Sequence, residues 1–214
     1  MSLDAALDRG LAALQLPLST KQREQLLAYV RLLDKWNQIY NLTAVRNIDA
    51  MLTQHVLDSL AVLPYLEGGT ILDVGSGGGL PGIPLAIARP EASVTLLDSN
   101  HKKSTFLKQA VIELAVSNGT VVCERAESWR PERLFDVVIS RAFSELSEFA
   151  ALAGHLCAPD GVLAAMKGVH PYEEIAQLPR TFRVSKVIPI RVPGLEADRH
   201  LVLLQRASIT ASDA

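Results

Sequence analysis

The sequence predicts an α/β protein with a Rossmann-like, mostly parallel sheet that follows an N-terminal helical extension. Three observations lead to this class. Residues 1 to about 68 have the periodicity of helices, and from Thr70 onward short β-rich runs alternate with helical runs. That alternation is typical of βαβ units, which build a parallel sheet with helices on both faces. The last two β-rich runs flank the turn-rich "PGLEAD" with no helix between them, which indicates an antiparallel pair at the end of the sheet.

The N-terminal region is predicted to contain two helices. The first is indicated by apolar residues at steps of three and four, a spacing that places them on one helix face. These residues are Leu26, Val30, Leu33, Trp36 and Tyr40. Ser19 or Thr20 is a plausible N-cap for this helix. The second helix is expected from near Asp49 to about Pro64, before "EGGT" breaks the chain.

The strands of the α/β part are predicted in "TILDVG", "SVTLLDS", "TVVCERA", "FDVVISRAF" and "GVLAAMKG", followed by the pair "VSKVIPIRV" and "RHLVLLQRA". Helices are predicted in "GIPLAIARP", "HKKSTFLKQAVIELAV" and "SELSEFAALAGHLCAP". We therefore expect a helical region over residues 1–68 and an α/β domain over 69–207. Residues 208–214 are small and polar, and we expect them to form a disordered tail.

The composition excludes several classes of protein. The net charge is −2, so no global basic field indicates a nucleic-acid binder, and RNA binding has to rest on local patches. The two cysteines form no CxxC pair, which argues against a zinc site or a disulfide framework. The chain has no apolar run of transmembrane length and no signal-peptide core at its N-terminus. We expect a cytoplasmic protein without a metal and without membrane contact.

The glycine-rich stretch "ILDVGSGGGLPG" follows the first predicted strand and opens a helix. Gly77, Gly79 and Gly82 match the dinucleotide-binding fingerprint G-x-G-x-x-G, which is weak evidence by itself. Asp98 ends the second strand about 20 residues further on, where a carboxylate would accept both hydroxyls of a ribose. Together these features predict a ligand that contains adenosine. The alternative is a tight turn without a ligand.

Two details favour S-adenosylmethionine over NAD as that ligand. The acid Asp73 precedes glycines that match the methyltransferase motif D/E-x-G-x-G-x-G, namely Gly75, Gly77 and Gly79. Pro81 and Pro84 remove backbone donors from a helix start that would otherwise bind a pyrophosphate. S-adenosylmethionine has no phosphate, and its cationic amino group suits a nearby acid. Asp73 could instead cap the helix or brace the loop. The domain over 69–207 is then a class I methyltransferase domain.

The third and fourth strands indicate the adenine pocket and the type of acceptor. Ala126 and Glu127 follow the third strand, where a backbone N–H and a side-chain acceptor would pair with adenine, although Glu127 could be a solvated loop acid. The fourth strand ends in "ISRAF", which lacks the Asn/Asp-Pro-Pro-Tyr/Phe motif of amino methylation. Cys123 and Cys157 are poorly placed to be a nucleophile for cytosine C5. These absences favour an acceptor with its own lone pair, such as guanine N7.

Arg141, in that fourth-strand segment, is the candidate catalytic residue. An arginine stays protonated and cannot be a general base. It could hold a phosphate, the cofactor carboxylate or a base edge, and the alternative is a structural salt bridge. The methyl transfer would then be a direct in-line displacement, in which the protein supplies orientation and electrostatics.

Several segments of the chain resemble the RsmG (GidB) family, the bacterial small-subunit rRNA guanine-N7 methyltransferases. They include "YNLTAVRN", "MLTQHVLDSLAVLPYL", "ILDVGSGGGLPGIPLAI", "LLDSNHKKSTFLKQ", "FDVVISRAF" and "DRHLVLLQR". The resemblance runs from about Trp36 to Arg206. It implies methylation of N7 of one guanine in 16S rRNA. It also implies contacts with S-adenosylmethionine at Gly75, Leu80, Ala126, Glu127 and Arg141.

The sequence indicates the residues that contact RNA less specifically than those that bind the cofactor. N7 lies in the deep groove of A-form RNA, so the target guanine has to be unpaired or flipped out. The candidate RNA-contacting residues are Asn41, His55, Lys167 and Arg199. Asn41 and His55 could instead brace the domain, Lys167 could be an ordinary solvated lysine, and His55 could pair with Asp58. The expected partner is 16S rRNA within the small ribosomal subunit or an assembly intermediate, and the expected oligomeric state is a monomer.

Three other functions are compatible with the residues. A small-molecule methyltransferase would have its N-terminal helices as a lid over a closed apolar pocket. An NAD-dependent oxidoreductase would differ in its cofactor. A non-catalytic S-adenosylmethionine-binding partner of the ribosome would bind cofactor and RNA without turnover.

Overall fold

The computed structural model describes residues 2–143 and 145–207. Its strands are β1 (Thr70–Val74), β2 (Ser93–Leu97), β3 (Gly119–Val122), β4 (Phe135–Ser140), β5 (Cys157–Lys167), β6 (Phe182–Pro189) and β7 (His200–Arg206). They form one seven-stranded sheet in the order β3-β2-β1-β4-β5-β7-β6. β1 to β5 are parallel, whereas β7 is antiparallel to both β5 and β6. The predicted sheet with an antiparallel C-terminal pair is confirmed. The tail predicted at 208–214 lies outside the described residues.

Among the described residues, four α-helices precede the sheet in the chain, and four more lie between its strands. They are α1 (Leu3–Ala13), α2 (Thr20–Tyr40), α3 (Ile48–Met51), α4 (Asp58–Leu60), α5 (Gly82–Ala88), α6 (His101–Glu113), α7 (Leu146–Ala153) and α8 (Tyr172–Ala176). Ser19 is the N-cap of α2, as predicted. Its hydroxyl accepts the Gln22 N–H while the Gln22 side chain accepts the Ser19 N–H at 2.9 Å, which is a capping box.

Alternating residues of the strands face two hydrophobic cores. Leu7 of α1 and Leu26 of α2 pack into the same core as Ile71 of β1. The next residue, Leu72, points to the opposite face and packs into the core that contains Phe149 of α7. The N-terminal helices therefore share a continuous core with the sheet. The division of the chain at residue 68 stays a prediction.

Two predicted elements differ from those in the structure. The helix expected through Pro159 ends at Ala153, and β5 begins at Cys157. Cys157 pairs with Phe135 before a bulge shifts the register, so residues 157–160 extend the strand beyond its predicted beginning at Gly161. The second predicted helix is interrupted by a π-helical segment, Leu52–Leu57, that joins α3 to α4. Such segments widen a helix locally and often occur at functional sites.

Candidate active site

The glycine loop after β1 adopts backbone conformations that favour glycine. Gly75, Gly77 and Gly79 have φ values of +73°, +57° and +88°. A Cβ at Gly75 would lie 2.8 Å from the Cβ of Ala142, so the close approach of the segment after β4 requires glycine. A Cβ at Gly77 would meet only the Gly75 carbonyl oxygen, at 3.8 Å. The space beside Gly77 is therefore open to a ligand.

A helix of the N-terminal region braces this loop. The buried Tyr29 hydroxyl donates a hydrogen bond to the Gly78 carbonyl oxygen at 2.5 Å. Burial raises the pKa of Tyr29 well above its usual value, so the phenol remains a donor. The sequence interpretation missed Tyr29, although it lies three residues after Leu26 and four before Leu33, on the predicted apolar face. The N-terminal helices thus help to position the loop.

Asp73 lies at the end of β1 and is fully buried. Its Oδ2 accepts the Gly82 N–H at 2.9 Å, at the beginning of α5. Its Oδ1 has no hydrogen-bond partner. Burial raises the pKa of the Asp73 carboxyl to about 7, against the opposing effect of the Gly82 hydrogen bond. The loop-bracing alternative is the contact that the structure contains, and a role toward the cofactor stays a prediction.

Asp98 connects the glycine loop to the start of α6. Its Oδ2 accepts the Gly77 N–H at 2.9 Å and its Oδ1 accepts the Asn100 N–H at 2.8 Å. A cavity of about 290 Å³ opens beside it. The cavity is lined by four predicted cofactor-binding residues, Gly75, Asp98, Ala126 and Glu127. Residues from three sequence-distant segments therefore meet at the carboxyl ends of the strands, where ligands bind in such folds.

The other predicted cofactor-binding residues lie outside the lining of this cavity. The Leu80 side chain is buried in the core with α2 and α5, and its N–H donates to the Ser76 carbonyl oxygen at 2.9 Å. A Cβ at Gly79 would overlap the Ile83 side chain, so this glycine permits the turn into α5. Any contact of these two residues with a cofactor stays a prediction.

Arg141 follows β4 and reaches the helical region. Its Nη1 lies 3.2 Å from Oδ2 of Asp58 and donates to the Gln54 carbonyl oxygen at 3.1 Å. Arg199 binds the other oxygen of the same carboxylate, with 2.9 Å between Nε and Oδ1. Asp58 is 2% exposed, whereas about a quarter of each arginine side chain is accessible. The structure thus joins Arg141 and Arg199 through a carboxylate that the sequence interpretation had considered only as a partner of His55.

His55 lies in the π-helical segment and is buried. Its Nδ1 is 3.0 Å from the Gln54 carbonyl oxygen, which can only accept, and 3.5 Å from Nη2 of Arg141, which can only donate; the shorter contact places the hydrogen on Nδ1. Its Nε2, 2.7 Å from Oγ1 of Thr43, then accepts the hydroxyl hydrogen. Burial and, to a smaller extent, the nearby Arg141 lower the pKa of His55 to about 4. His55 is neutral at pH 7 and braces the "YNLTAVRN" segment; its ring nitrogens contact Thr43, Gln54 and Arg141 rather than Asp58.

The remaining two RNA candidates lie at different places. Asn41 ends α2 with a φ of +50°, and its Oδ1 accepts from Arg46 at 2.6 Å. Lys167 ends β5, and its Nζ lies 2.7 Å from Oε2 of Glu174 in α8. The same Nζ is 3.5 Å from the Phe143 carbonyl oxygen, beside the cavity. RNA contacts at both residues stay predictions.

Two features are absent from residues 2–143 and 145–207. No group of three or more histidine, cysteine, aspartate or glutamate side chains there is arranged to hold a metal ion. None of the helices in this part of the chain is long and apolar enough to cross a membrane.

Solved structures place the fold among class I methyltransferases. The glycopeptide N-methyltransferase MtfA, crystallised with S-adenosyl-L-homocysteine, superposes with a TM-score of 0.63 at 14% identity, over 89% of this chain and 100% of that one. The ribosomal protein L11 methylase of Lactobacillus delbrueckii subsp. bulgaricus gives a TM-score of 0.53 at 16% identity, over 70% and 76% of the two chains. At such identities the likeness concerns the fold alone.

The sequence comparisons identify the family. The profile described as rRNA small subunit methyltransferase G (GidB) matches residues 22–202. A protein of that name from Laribacter hongkongensis is 62% identical over 204 residues, which cover 95% of this chain and 99% of the relative. A protein of the same name from Chromobacterium violaceum is 60% identical over 199 residues, which cover 92% of this chain and 95% of the relative. The chain belongs to the rRNA small subunit methyltransferase G family, and the predictions of this family and of an S-adenosylmethionine-dependent methyltransferase fold are confirmed.

Proposed function

We propose that this protein methylates N7 of one guanine in 16S rRNA, with S-adenosylmethionine as the methyl donor. The observation that carries the proposal is the position of Arg141 and Arg199 relative to the cavity beside Asp98, which we call the cofactor cavity. Ala142 and Phe143 line the cavity, and Arg141 directly precedes them while pairing with Asp58. An RNA that contacts Arg141 would therefore place its bases beside the cavity. We further propose that the enzyme acts in the cytoplasm as a monomer, on the small ribosomal subunit or an assembly intermediate.

The residues of the cavity fit the cofactor. Each oxygen of the Asp98 carboxylate accepts one backbone N–H, and a carboxylate oxygen has a second lone pair that can accept a ribose hydroxyl. The open space beside Gly77 would be filled by any larger side chain. Ala126 and Glu127 also line the cavity, where they would contact the adenine. When bound, the cofactor supplies an electrophilic methyl group on a sulfonium.

The groups around Arg141 support an acceptor that needs no general base. Asp58 is held by two arginines, and both nitrogens of His55 contact hydrogen-bond partners. The accessible groups are the guanidinium groups of Arg141 and Arg199, which donate hydrogen bonds and do not accept protons. Guanine N7 has a free lone pair at neutral pH, so it can attack the methyl group in line without losing a proton.

The cations at this end of the sheet are also suited to binding RNA. Arg141, Arg199 and Lys167 lie at the edge of the sheet where β4 and β5 end and β7 begins. Arginine and lysine supply most contacts with RNA phosphates, and unpaired bases supply the specificity. Asp58 carries one negative charge between two guanidinium groups, so this pair of arginines retains a net positive charge for a phosphate or a base edge. His55 and Asn41 contribute to RNA binding indirectly, because they hold the loop that contains Thr43.

The experiment that tests this proposal uses the purified protein, labelled S-adenosylmethionine and small ribosomal subunits from a strain that lacks the gene. The RNA is digested, and the labelled nucleoside is identified by mass. We expect N7-methylguanosine at a single position. Label in another nucleoside would reject N7 as the acceptor. Absence of label in RNA, with cofactor binding verified by titration, would favour a small-molecule substrate or a non-catalytic partner.

A further inference from the structure

The segment that follows β5 contains a row of aromatic rings that the proposed function does not use. The Tyr172 ring stacks on the His170 ring, with 3.8 Å between centroids and 25° between planes. His170 contacts His200 in an edge-to-face arrangement, with 5.4 Å between centroids. Tyr172 is the outermost ring and is 73% exposed, and the neighbouring Val169 is 71% exposed. An exposed aromatic ring at the end of an ordered stack is a surface on which another ring can be placed.

The row is fixed to the ends of two strands. His200 begins β7, where it lies opposite Lys167 in the sheet, and its Nδ1 donates to the Gly168 carbonyl oxygen at 2.8 Å. The Tyr172 N–H donates to the His170 carbonyl oxygen at 3.1 Å. Because these contacts hold the rings before any ligand arrives, binding to them would cost little conformational entropy.

The position of the row relates it to the candidate active site. Lys167 precedes the row and contacts the carbonyl oxygen of Phe143, which lines the cofactor cavity. Glu174, two residues after Tyr172, pairs with the Lys167 ammonium at 2.7 Å. Arg199, which precedes His200 in the chain, pairs with Asp58. The row is therefore attached to the carboxyl ends of the strands that hold the cavity, where Lys167 and Arg199 also lie, each paired with a carboxylate.

We propose that Tyr172, supported by His170 and His200, is a stacking site for an unpaired base of the RNA substrate. Unpaired RNA bases are commonly recognised by stacking on aromatic side chains, and neighbouring cations bind the phosphates of the same nucleotides. The stacked base is a neighbour of the target guanine, because the guanine itself has to reach the cofactor cavity. This inference rests on the proposed function and adds a residue that positions the substrate.

The test compares Tyr172→Leu, Tyr172→Phe and the control Tyr65→Leu in steady-state methylation of small subunits that lack the modification. Tyr65 is also an exposed tyrosine, 41% accessible, but it lies at the other end of the strands, near the beginnings of β4 and β5. Base–aromatic stacking has a strength that corresponds to a rise of about tenfold in KM for the subunit when the ring is lost. We expect that rise for Tyr172→Leu with kcat and the Kd of S-adenosylmethionine unchanged, because the lost contact is one of uniform binding.

Tyr172→Phe keeps the ring and is expected to retain the wild-type KM, as is Tyr65→Leu. A wild-type KM in Tyr172→Leu, or an equal loss in Tyr172→Phe, would overturn the stacking proposal. In either case, transfer of labelled methyl groups to the RNA by the wild-type protein would leave the proposed function standing. If the wild-type protein transfers no methyl group to the RNA, the proposed function and the stacking site are rejected together.

Discussion

Arg141 and Asp58 form an ion pair of 3.2 Å in which the carboxylate is buried and the guanidinium is partly accessible. The second oxygen of Asp58 binds Arg199, so one carboxylate of the helical region holds two arginines, one directly after β4 and one directly before β7. The guanidinium groups lose much of their freedom before substrate arrives. A site prepared in this way spends less binding energy on ordering its side chains.

The variant Asp58→Asn tests this arrangement. It keeps the shape of the side chain but removes the charge between two arginines, so we expect the free energy of unfolding to fall by about 1–3 kcal/mol. The measurement is urea denaturation at pH 7. The matched control is Asp4→Asn, which removes an exposed ion pair with Arg31 and should change stability by less than about 1 kcal/mol. Equal stability of the two variants would contradict a structural role for Asp58.

The variant Arg141→Ala tests the candidate catalytic residue. Loss of a charged hydrogen-bond donor at the reacting centre should lower kcat/KM for the ribosomal subunit by about 100-fold. Single-turnover methylation measures this effect, and titration with S-adenosylmethionine separates it from cofactor binding. Arg183→Ala serves as the control, because Arg183 is exposed on β6 and binds Gln205. Wild-type activity in Arg141→Ala would remove this residue from the site.

The variant Asp98→Ala tests the ribose assignment. The loss of charged hydrogen bonds should weaken S-adenosylmethionine binding by about 1–3 kcal/mol, and the Gly77 N–H loses its acceptor at the same time. Isothermal titration calorimetry measures the Kd. Glu91→Ala removes an acid that pairs with Arg89 away from the cavity, and we expect it to bind the cofactor normally. An unchanged Kd in Asp98→Ala would reject the assignment.

The buried Asp73 predicts a pH dependence of stability. Its pKa is raised to about 7 by burial, so between about pH 4 and pH 7 the folded state binds more protons than the unfolded state. The contribution of this group to stability therefore falls as the pH rises through this window, by about 1.4 kcal/mol per pH unit at most.

The variant Asp73→Asn keeps an acceptor for the Gly82 N–H and cannot titrate. The difference in unfolding free energy between wild type and variant should fall by about 2 kcal/mol from pH 5 to pH 7. His55, whose pKa is lowered to about 4, has the opposite pH dependence, but it is present in both proteins and cancels in the difference. A difference that does not vary with pH would show that Asp73 is ionised throughout this range.

Local patterns in the sequence determined the fold class and the cofactor loop. The βαβ alternation and the helix-free C-terminal pair follow from hydrophobic periodicity, which is a property of neighbouring residues. The glycine motif and Asp98 lie within one βαβ unit, where the spacing of the residues fixes their relative position. The cavity accordingly brings together Gly75, Asp98, Ala126 and Glu127 as the sequence predicted.

The connections between distant segments were decided only by the tertiary structure. Asp58 is 83 positions from Arg141 and 141 positions from Arg199, and Tyr29 is 49 positions from Gly78. No local pattern specifies which cation meets which carboxylate, since this depends on how the helices pack on the sheet. The π-helical segment Leu52–Leu57 likewise interrupts the helix predicted from near Asp49 to about Pro64. The sequence indicated which residues are candidates for the chemistry, and packing decided which of them hold one another in place.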